Sequence, residues 1–163
     1  MDEFDFPMME ERLRFRDDPP PGLVEFSEKI ARADSVVIVT PEYNNGYPGV
    51  LKNALDYLLP EYKRKPIGIV TVSAGGFGGI NCLAQLRLVT LGMGAFPIPA
   101  ALTISRVQDS FDLDGNPFVK IARVGLCTLC HLFSFLFHCR ILNLSFSVHK
   151  IIFGNDNYHK LFY

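Results

Sequence analysis

Ser35-Val36-Val37-Ile38-Val39-Thr40-Pro41-Glu42-Tyr43-Asn44-Asn45-Gly46-Tyr47-Pro48-Gly49 is the stretch whose reading decides the fold. Residues 35–40 form a β-branched apolar run with no polar face. A strand buried on both sides of a parallel sheet reads this way, and periodicity alone leaves a short buried helix open as the alternative. Pro41 ends the run, because it lacks a ladder donor and biases Thr40 toward an extended conformation. Asn44, Asn45 and Gly46 tolerate turn geometry, and Gly46 can take a positive φ that a larger residue resists. Pro48 suits the first turn of a helix, and Val50, Leu51, Ala54, Leu55 and Leu58 continue at helical spacing. The unit is strand, tight loop, helix.

A loop at the carboxyl end of a buried strand is where open α/β sheets bind ligands. This one offers Tyr43 and Tyr47 as flat apolar surfaces and Asn44 as an amide that both donates and accepts. Its sharp turn is expected to leave N–H groups free. The combination suits a planar, hydrogen-bonding ring better than a nucleophile or a metal. From the loop alone, a purely structural βα connection is the competing reading.

Working outward, Ile67–Val72 is a second buried-strand candidate. It is followed by Ser73-Ala74-Gly75-Gly76-Phe77-Gly78-Gly79 and by an apolar helix carrying Ile80, Leu83, Ala84, Leu86, Leu88, Val89 and Leu91. Glycines at a helix start bring backbone close to a ligand and leave N–H groups for an electron-rich oxygen or ring nitrogen. The loop is not the dinucleotide fingerprint, since the third glycine counted from Gly76 would fall at Asn81. It is not a Walker loop either, since no Gly-Lys-Ser/Thr follows. Two such loops at successive strand ends would form one crevice.

Gly22–Ala33 carries Leu23, Phe26 and Ile30 on one face and Glu25, Glu28, Lys29 and Arg32 on the other, a surface helix. Asp17-Asp18-Pro19-Pro20-Pro21 before it reads as a rigid connector without a domain boundary. The helix begun at Pro48 is expected to run to Pro60–Tyr62. Ala95–Ile104, broken by prolines, is consistent with an edge strand, and Arg106–Pro117 with a turn or short hairpin.

At 163 residues with a formal net charge of −1, the chain has room for one domain and no electrostatic footprint for nucleic acid. A hydrophobic content of 48% excludes a disordered protein. The acidic Met1–Asp5 is no secretory signal, so a cytoplasmic, reducing compartment is expected. Four cysteines, at 82, 127, 130 and 139, are too few and too clustered for a disulfide framework. Cys127-Thr128-Leu129-Cys130-His131 matches haem attachment literally, but that chemistry needs an export route. No metal site is expected, because the Cys/His group lacks a second ligand pair. Gly125–Cys139 is too short and too histidine-bearing for a membrane span. Residues 142–148 alternate apolar and polar like a half-buried strand.

Pro41–Leu58 (PEYNNGYPGVLKNALDYL) and Lys65–Gly79 (KPIGIVTVSAGGFGG) together resemble the signature of the NADPH-dependent FMN reductase family. The likeness runs from about Met1 to about Phe118. It implies an α/β, flavodoxin-like open parallel sheet with helices on both faces. It implies FMN as cofactor, NADPH or NADH as donor, and a quinone, flavin or similar small-molecule acceptor. It places Pro41, Glu42, Tyr43, Asn44, Gly46 and Pro48 along one side of the isoalloxazine. Ser73, Ala74, Gly75, Gly76, Phe77 and Gly78 lie on the other, with no catalytic side chain because the cofactor carries the chemistry. A homo-oligomer, dimer or tetramer, is implied, with Leu55, Tyr57, Leu58 and Tyr62 either at the subunit interface or packed on the sheet.

The resemblance also implies an incomplete domain over residues 1–118, short of the first strand and the loop that wraps the FMN phosphate. Met1–Phe6 would be the exit of the second strand, leaving Val36–Val39 with an open edge. Residues 119–163 form an atypical hydrophobic tail with no assigned domain, expected from an alternative or mis-predicted exon. The alternative to an enzyme is a non-catalytic isoform that pairs with a full-length subunit or misfolds.

Overall fold

A computed structural model describes residues 6–110. Leu23–Arg32 (α1), Val36–Pro41 (β1), Gly49–Tyr57 (α2), Pro66–Val72 (β2), Ile80–Gly92 (α3) and Phe96–Ile104 (β3) follow one another. Short 3-10 turns lie at Leu13–Phe15, Pro60–Tyr62 and Val107–Asp109. The strands form one parallel sheet in the order β1-β2-β3. The central strand is buried at every position from Ile67 to Val72, which is why its sequence shows no polar face. Along the other edge of β1 no strand pairs among the described residues.

β3 is the irregular strand. Ile67 pairs with Pro97 and Ile69 with Ala101, so β3 spends extra residues over that interval. Pro97 and Pro99 fall there and cannot donate to a ladder. Arg87 of α3 donates to the Pro99 carbonyl at 2.7 Å, holding the bulge against the helix.

All three helices feed one core. Leu23 and Ile30 of α1, Leu55 and Tyr57 of α2, and Cys82, Leu83 and Leu86 of α3 cluster with Val36, Ile38, Ile67 and Ile69. The opposite sheet face holds a separate cluster of Val70, Ile98 and Leu102, to which no helix contributes among the described residues. The helix layer expected on that face therefore falls outside the described residues. So do the strand exit at 1–5, the turn over 111–117, the Cys127–His131 motif and the alternation at 142–148.

α2 stops earlier than its apolar spacing suggests. Leu58 is extended, and Pro60–Tyr62 forms a separate 3-10 turn. Glu61 explains the break: one carboxylate oxygen accepts from Leu59 N–H at 3.1 Å and the other from the Ser27 hydroxyl at 2.8 Å. The turn is thereby tied to α1, and Leu58 and Tyr62 are delivered into the core. Leu55, Tyr57, Leu58 and Tyr62 are all buried within the chain, so packing on the sheet accounts for them. Burial, and after it the Glu61 charge, pushes the Tyr62 phenol pKa up.

The segment Phe6–Met9 is strapped across α2. Asn53 accepts from Met9 N–H at 2.7 Å and donates to the Pro7 carbonyl at 2.8 Å, and the Tyr57 hydroxyl donates to that carbonyl at 2.9 Å. Asn53 is buried, so removing its amide leaves polar backbone groups without partners. Asn53→Ala should cost roughly 2 kcal/mol in urea unfolding. It should also raise amide exchange at Met9 ahead of exchange in β2.

Candidate active site

Pro41 and Val72 are register partners, so the loops that follow β1 and β2 rise side by side from the same end of the sheet. In the first loop Asn44 and Asn45 both take positive φ, 51° and 65°. Tyr43 N–H donates to Gly46 O at 2.8 Å, and Gly46 N–H returns a bond to Tyr43 O at 2.9 Å. Two left-handed residues inside a mutually bonded pair make a two-residue hairpin turn, a geometry asparagine accepts more readily than bulkier residues. Glu42 N–H donates to Val72 O at 2.9 Å. The free main-chain donors expected of this loop are therefore fewer than its sharp turn suggests, since the turn bonds to itself. What it offers outward is the Tyr43 ring, 44% exposed, and the exposed Asn44 amide, which has no partner among the described residues.

The second loop is pinned at its end and open at its crest. The buried Thr71 hydroxyl donates to Gly78 O at 2.7 Å. A Cβ on Gly78 would stand 2.8 Å from Thr103 Cβ, and one on Gly79 would stand 2.9 Å from Thr71 Cβ. Both residues have positive φ, so glycine is required there twice over. At Gly76 a Cβ would meet nothing within 4 Å. The N–H groups of residues 74–79 donate to no acceptor among the described residues, and Phe77 is 84% exposed.

The end of β3 supports this crest from the far side. Ser73 N–H donates to Ile104 O at 2.9 Å, Arg106 N–H to Gly75 O at 3.1 Å and Val107 N–H to Ser73 O at 3.2 Å. The sequence placed 104 at the end of an edge strand and 106–108 in a turn, and gave neither a part in the site.

The two loops are joined through α3. The Glu42 carboxylate accepts from Cys82 N–H at 2.9 Å, filling one of the open donors of the helix start with a negative charge that suits it. Asn81 donates to the Asn45 side chain at 3.0 Å and Gln85 to the Asn45 carbonyl at 2.7 Å. Asn81 and Gln85 also escaped the sequence reading. Their signal was a pair of amides spaced i, i+4 on a largely apolar helix, which puts both on one face. Beneath them Cys82 is fully buried, and burial, followed by the Glu42 charge, raises its thiol pKa to about 11.

The site thus combines aromatic faces, a free amide and a row of unpaired N–H groups on neighbouring strand ends, an arrangement able to hold a flat, electron-rich ring. The chain belongs to the NADPH-dependent FMN reductase family, whose profile matches residues 1–109. Within that family it is similar to an NAD(P)H-dependent FMN reductase of Schizosaccharomyces pombe, 51% identical over 83 residues, covering 50% of this chain and 40% of the relative. It is 38% identical over 128 residues to a quinone reductase of Pseudomonas putida, covering 71% of this chain and 68% of that one. The chain spans about half the length of most of the curated relatives it matches. Among solved structures, the flavoenzyme NAD(P)H:(acceptor) oxidoreductase FerB of Paracoccus denitrificans superposes with a TM-score of 0.68 at 24% identity. That match covers 82% of this chain and 76% of FerB, and the shared fold is flavodoxin-like.

Glu42→Ala should destabilise the chain by about 1–2 kcal/mol, through loss of a helix-end acceptor, while Glu42→Gln, which keeps an acceptor oxygen, should cost clearly less in the same denaturation. Cys82 gives a pH signature. Its folded pKa lies above its unfolded value of 9.0 and near 11, so stability is intact below pH 9 and falls as pH rises toward 11. A Cys82→Ser chain should lose stability less steeply across that interval, by up to about 1.4 kcal/mol per pH unit.

Proposed function

We propose that the chain is an FMN-dependent oxidoreductase that passes electrons from NADPH or NADH to a quinone, a flavin or a similar small acceptor. The observation that carries this reading is the pairing, on adjacent strand ends, of the Tyr43–Asn44 turn with the unpaired N–H groups of the glycine crest. Flavin supplies the two-electron chemistry when bound. The protein's part is to hold the ring flat, donate to its heteroatoms and keep water from one face.

In this reading Pro41, Tyr43, Asn44, Gly46 and Pro48 line one side of the ring, with the Asn44 amide as the polar contact. Ser73, Ala74, Gly75, Gly76, Phe77 and Gly78 line the other, and all of these except Ser73, whose N–H is held by Ile104, donate through the main chain. Glu42 stands at the same edge, but its carboxylate is engaged with α3. The residues fit the ring half of the cofactor. The start of α3, which elsewhere would attract a phosphate, is taken by that carboxylate, so the phosphate half finds no grip at that helix start.

The same reading carries a catalytic domain over 1–118 with a separate tail over 119–163, a homo-oligomer, and a cytoplasmic setting in which NAD(P)H is regenerated. No helix among the described residues is long and apolar enough to cross a membrane. A second reading, a non-catalytic chain that pairs with a longer subunit, draws on the edge of β1 that no strand covers among the described residues.

The two separate on one preparation. Full-length protein mixed with FMN and desalted should retain the visible flavin band and lose it when NADPH or NADH is added without oxygen. Asn44→Ala and Gly76→Val should each weaken retention by about tenfold, since one removes a ring contact and the other fills the crest. Colourless protein that neither retains FMN nor quenches its fluorescence would overturn the reading in favour of the non-catalytic chain.

A further inference from the structure

The crest is built from residues 41–48, 73–81 and 104–110, and across these segments Arg106 is the single cationic side chain. Its backbone is left-handed, φ 44° and ψ 54°, a conformation that costs a non-glycine residue free energy and persists where the surroundings enforce it. Here they do. Arg106 N–H donates to Gly75 O at 3.1 Å, and its carbonyl accepts from Asp109 N–H at 2.8 Å and from the Ser110 hydroxyl at 3.2 Å. The neighbouring Val107 is buried as an anchor. The side chain, by contrast, is exposed and has no ion pair or hydrogen bond among the described residues.

Among the described residues the cations nearest in sequence to these elements are spent or distant. Arg87 bonds the bulge at Pro99, Lys52 pairs with Asp56, and Lys65 donates to the Ala31 and Ala33 carbonyls at the opposite end of β2. Of the two acidic groups at the crest, Glu42 is committed to the Cys82 N–H. Asp109 is exposed close to Arg106 but forms no ion pair with it. The result is a guanidinium that no described residue compensates, on a backbone held one hydrogen bond from the glycine loop.

We propose that Arg106 is a binding residue for the electron donor, its guanidinium pairing with a phosphate of the nicotinamide dinucleotide. The proposal rests on the oxidoreductase reading. A planar guanidinium suits phosphate oxygens in a way a neutral loop cannot. Two phosphates of the donor share this chemistry, the 2′-phosphate found only in NADPH and the pyrophosphate common to both dinucleotides.

The test is equilibrium titration of the full-length protein with adenosine 2′,5′-bisphosphate and with 5′-ADP, for the natural chain, Arg106→Gln and Arg106→Lys. Arg106→Gln should bind roughly tenfold more weakly, and Arg106→Lys should recover part of the loss and keep the salt dependence. A loss confined to the 2′,5′-bisphosphate assigns the 2′-phosphate; a loss with both ligands assigns the pyrophosphate. Steady-state rates should follow as a raised KM for the matching donor at little changed kcat. Equal binding by the natural and Gln chains, or no binding by either, overturns the proposal. So does loss of the flavin band in Arg106→Gln alone, which would place the guanidinium on the flavin. A natural chain that binds the nucleotides but no FMN would instead sink the oxidoreductase reading and leave Arg106 as a phosphate site.

Discussion

The geometry of the candidate site hangs on a contact between residues forty positions apart, the Glu42 carboxylate on the Cys82 N–H. The start of a helix carries open donors and a partial positive charge, and a carboxylate at that place satisfies both at once. Because Glu42 sits on the exit of β1 and Cys82 in the first turn of α3, the bond fixes the loop after one strand to the helix after the next. Asn45 repeats the tie one turn further out, through Asn81 and Gln85. Two loops that would otherwise move independently behave as one wall. A wall fixed before a ligand arrives spares the ligand the cost of ordering it.

That tie also decides what kind of ligand the wall can take. With Glu42 on the helix start, the negative charge an incoming anion would bring is already present. The glycine N–H groups that remain free are neutral dipoles, suited to ring nitrogens and carbonyl oxygens. Gly78 and Gly79 have no room for a side chain against Thr103 and Thr71, so the loop lies flat on the sheet and only its crest, Gly75 to Phe77, stands clear. The packing below the crest and the openness above it have the same origin: a threonine hydroxyl inside β2 that captures the Gly78 carbonyl.

Much of this was legible in the sequence. The strands at 36–41 and 66–72 announced themselves by unbroken apolar runs, and α1 by its two-faced spacing, because burial on both sides or on one side leaves those patterns directly. Both loops were placed at strand ends by their glycines, asparagines and prolines. What stayed hidden were pairings set by three-dimensional register. Nothing local to Asn81 or Gln85 says that an asparagine at 45 will lie opposite them. Thr71 reads as one more β-branched residue, and Glu61 as an ordinary helix-surface acid. The overlong helix shows the same gap: the apolar period continues through Leu58, and only the capture of Glu61 by Leu59 and Ser27 breaks it. The hairpin turn was half visible: its residues marked a sharp turn, but the positive φ expected at Gly46 falls on Asn44 and Asn45 instead, and its self-bonding N–H groups were counted as free.

The charge layout gives the reason this site divides its labour. A phosphate bound at a helix start is gripped by several donors and an aligned dipole, but α3 spends that capacity internally on holding the loops together. Any charge recognition at the crest must then come from a side chain, and the chain supplies one, on the segment that buttresses the glycine loop from the β3 side. Arg106 cannot relax its backbone without giving up the bond to Gly75, so a charge engaged there is felt by the crest itself. Neutral dipoles on one strand end and, among the described residues of the crest, one cation on another form a coherent arrangement in which the internal carboxylate of Glu42 keeps the two apart.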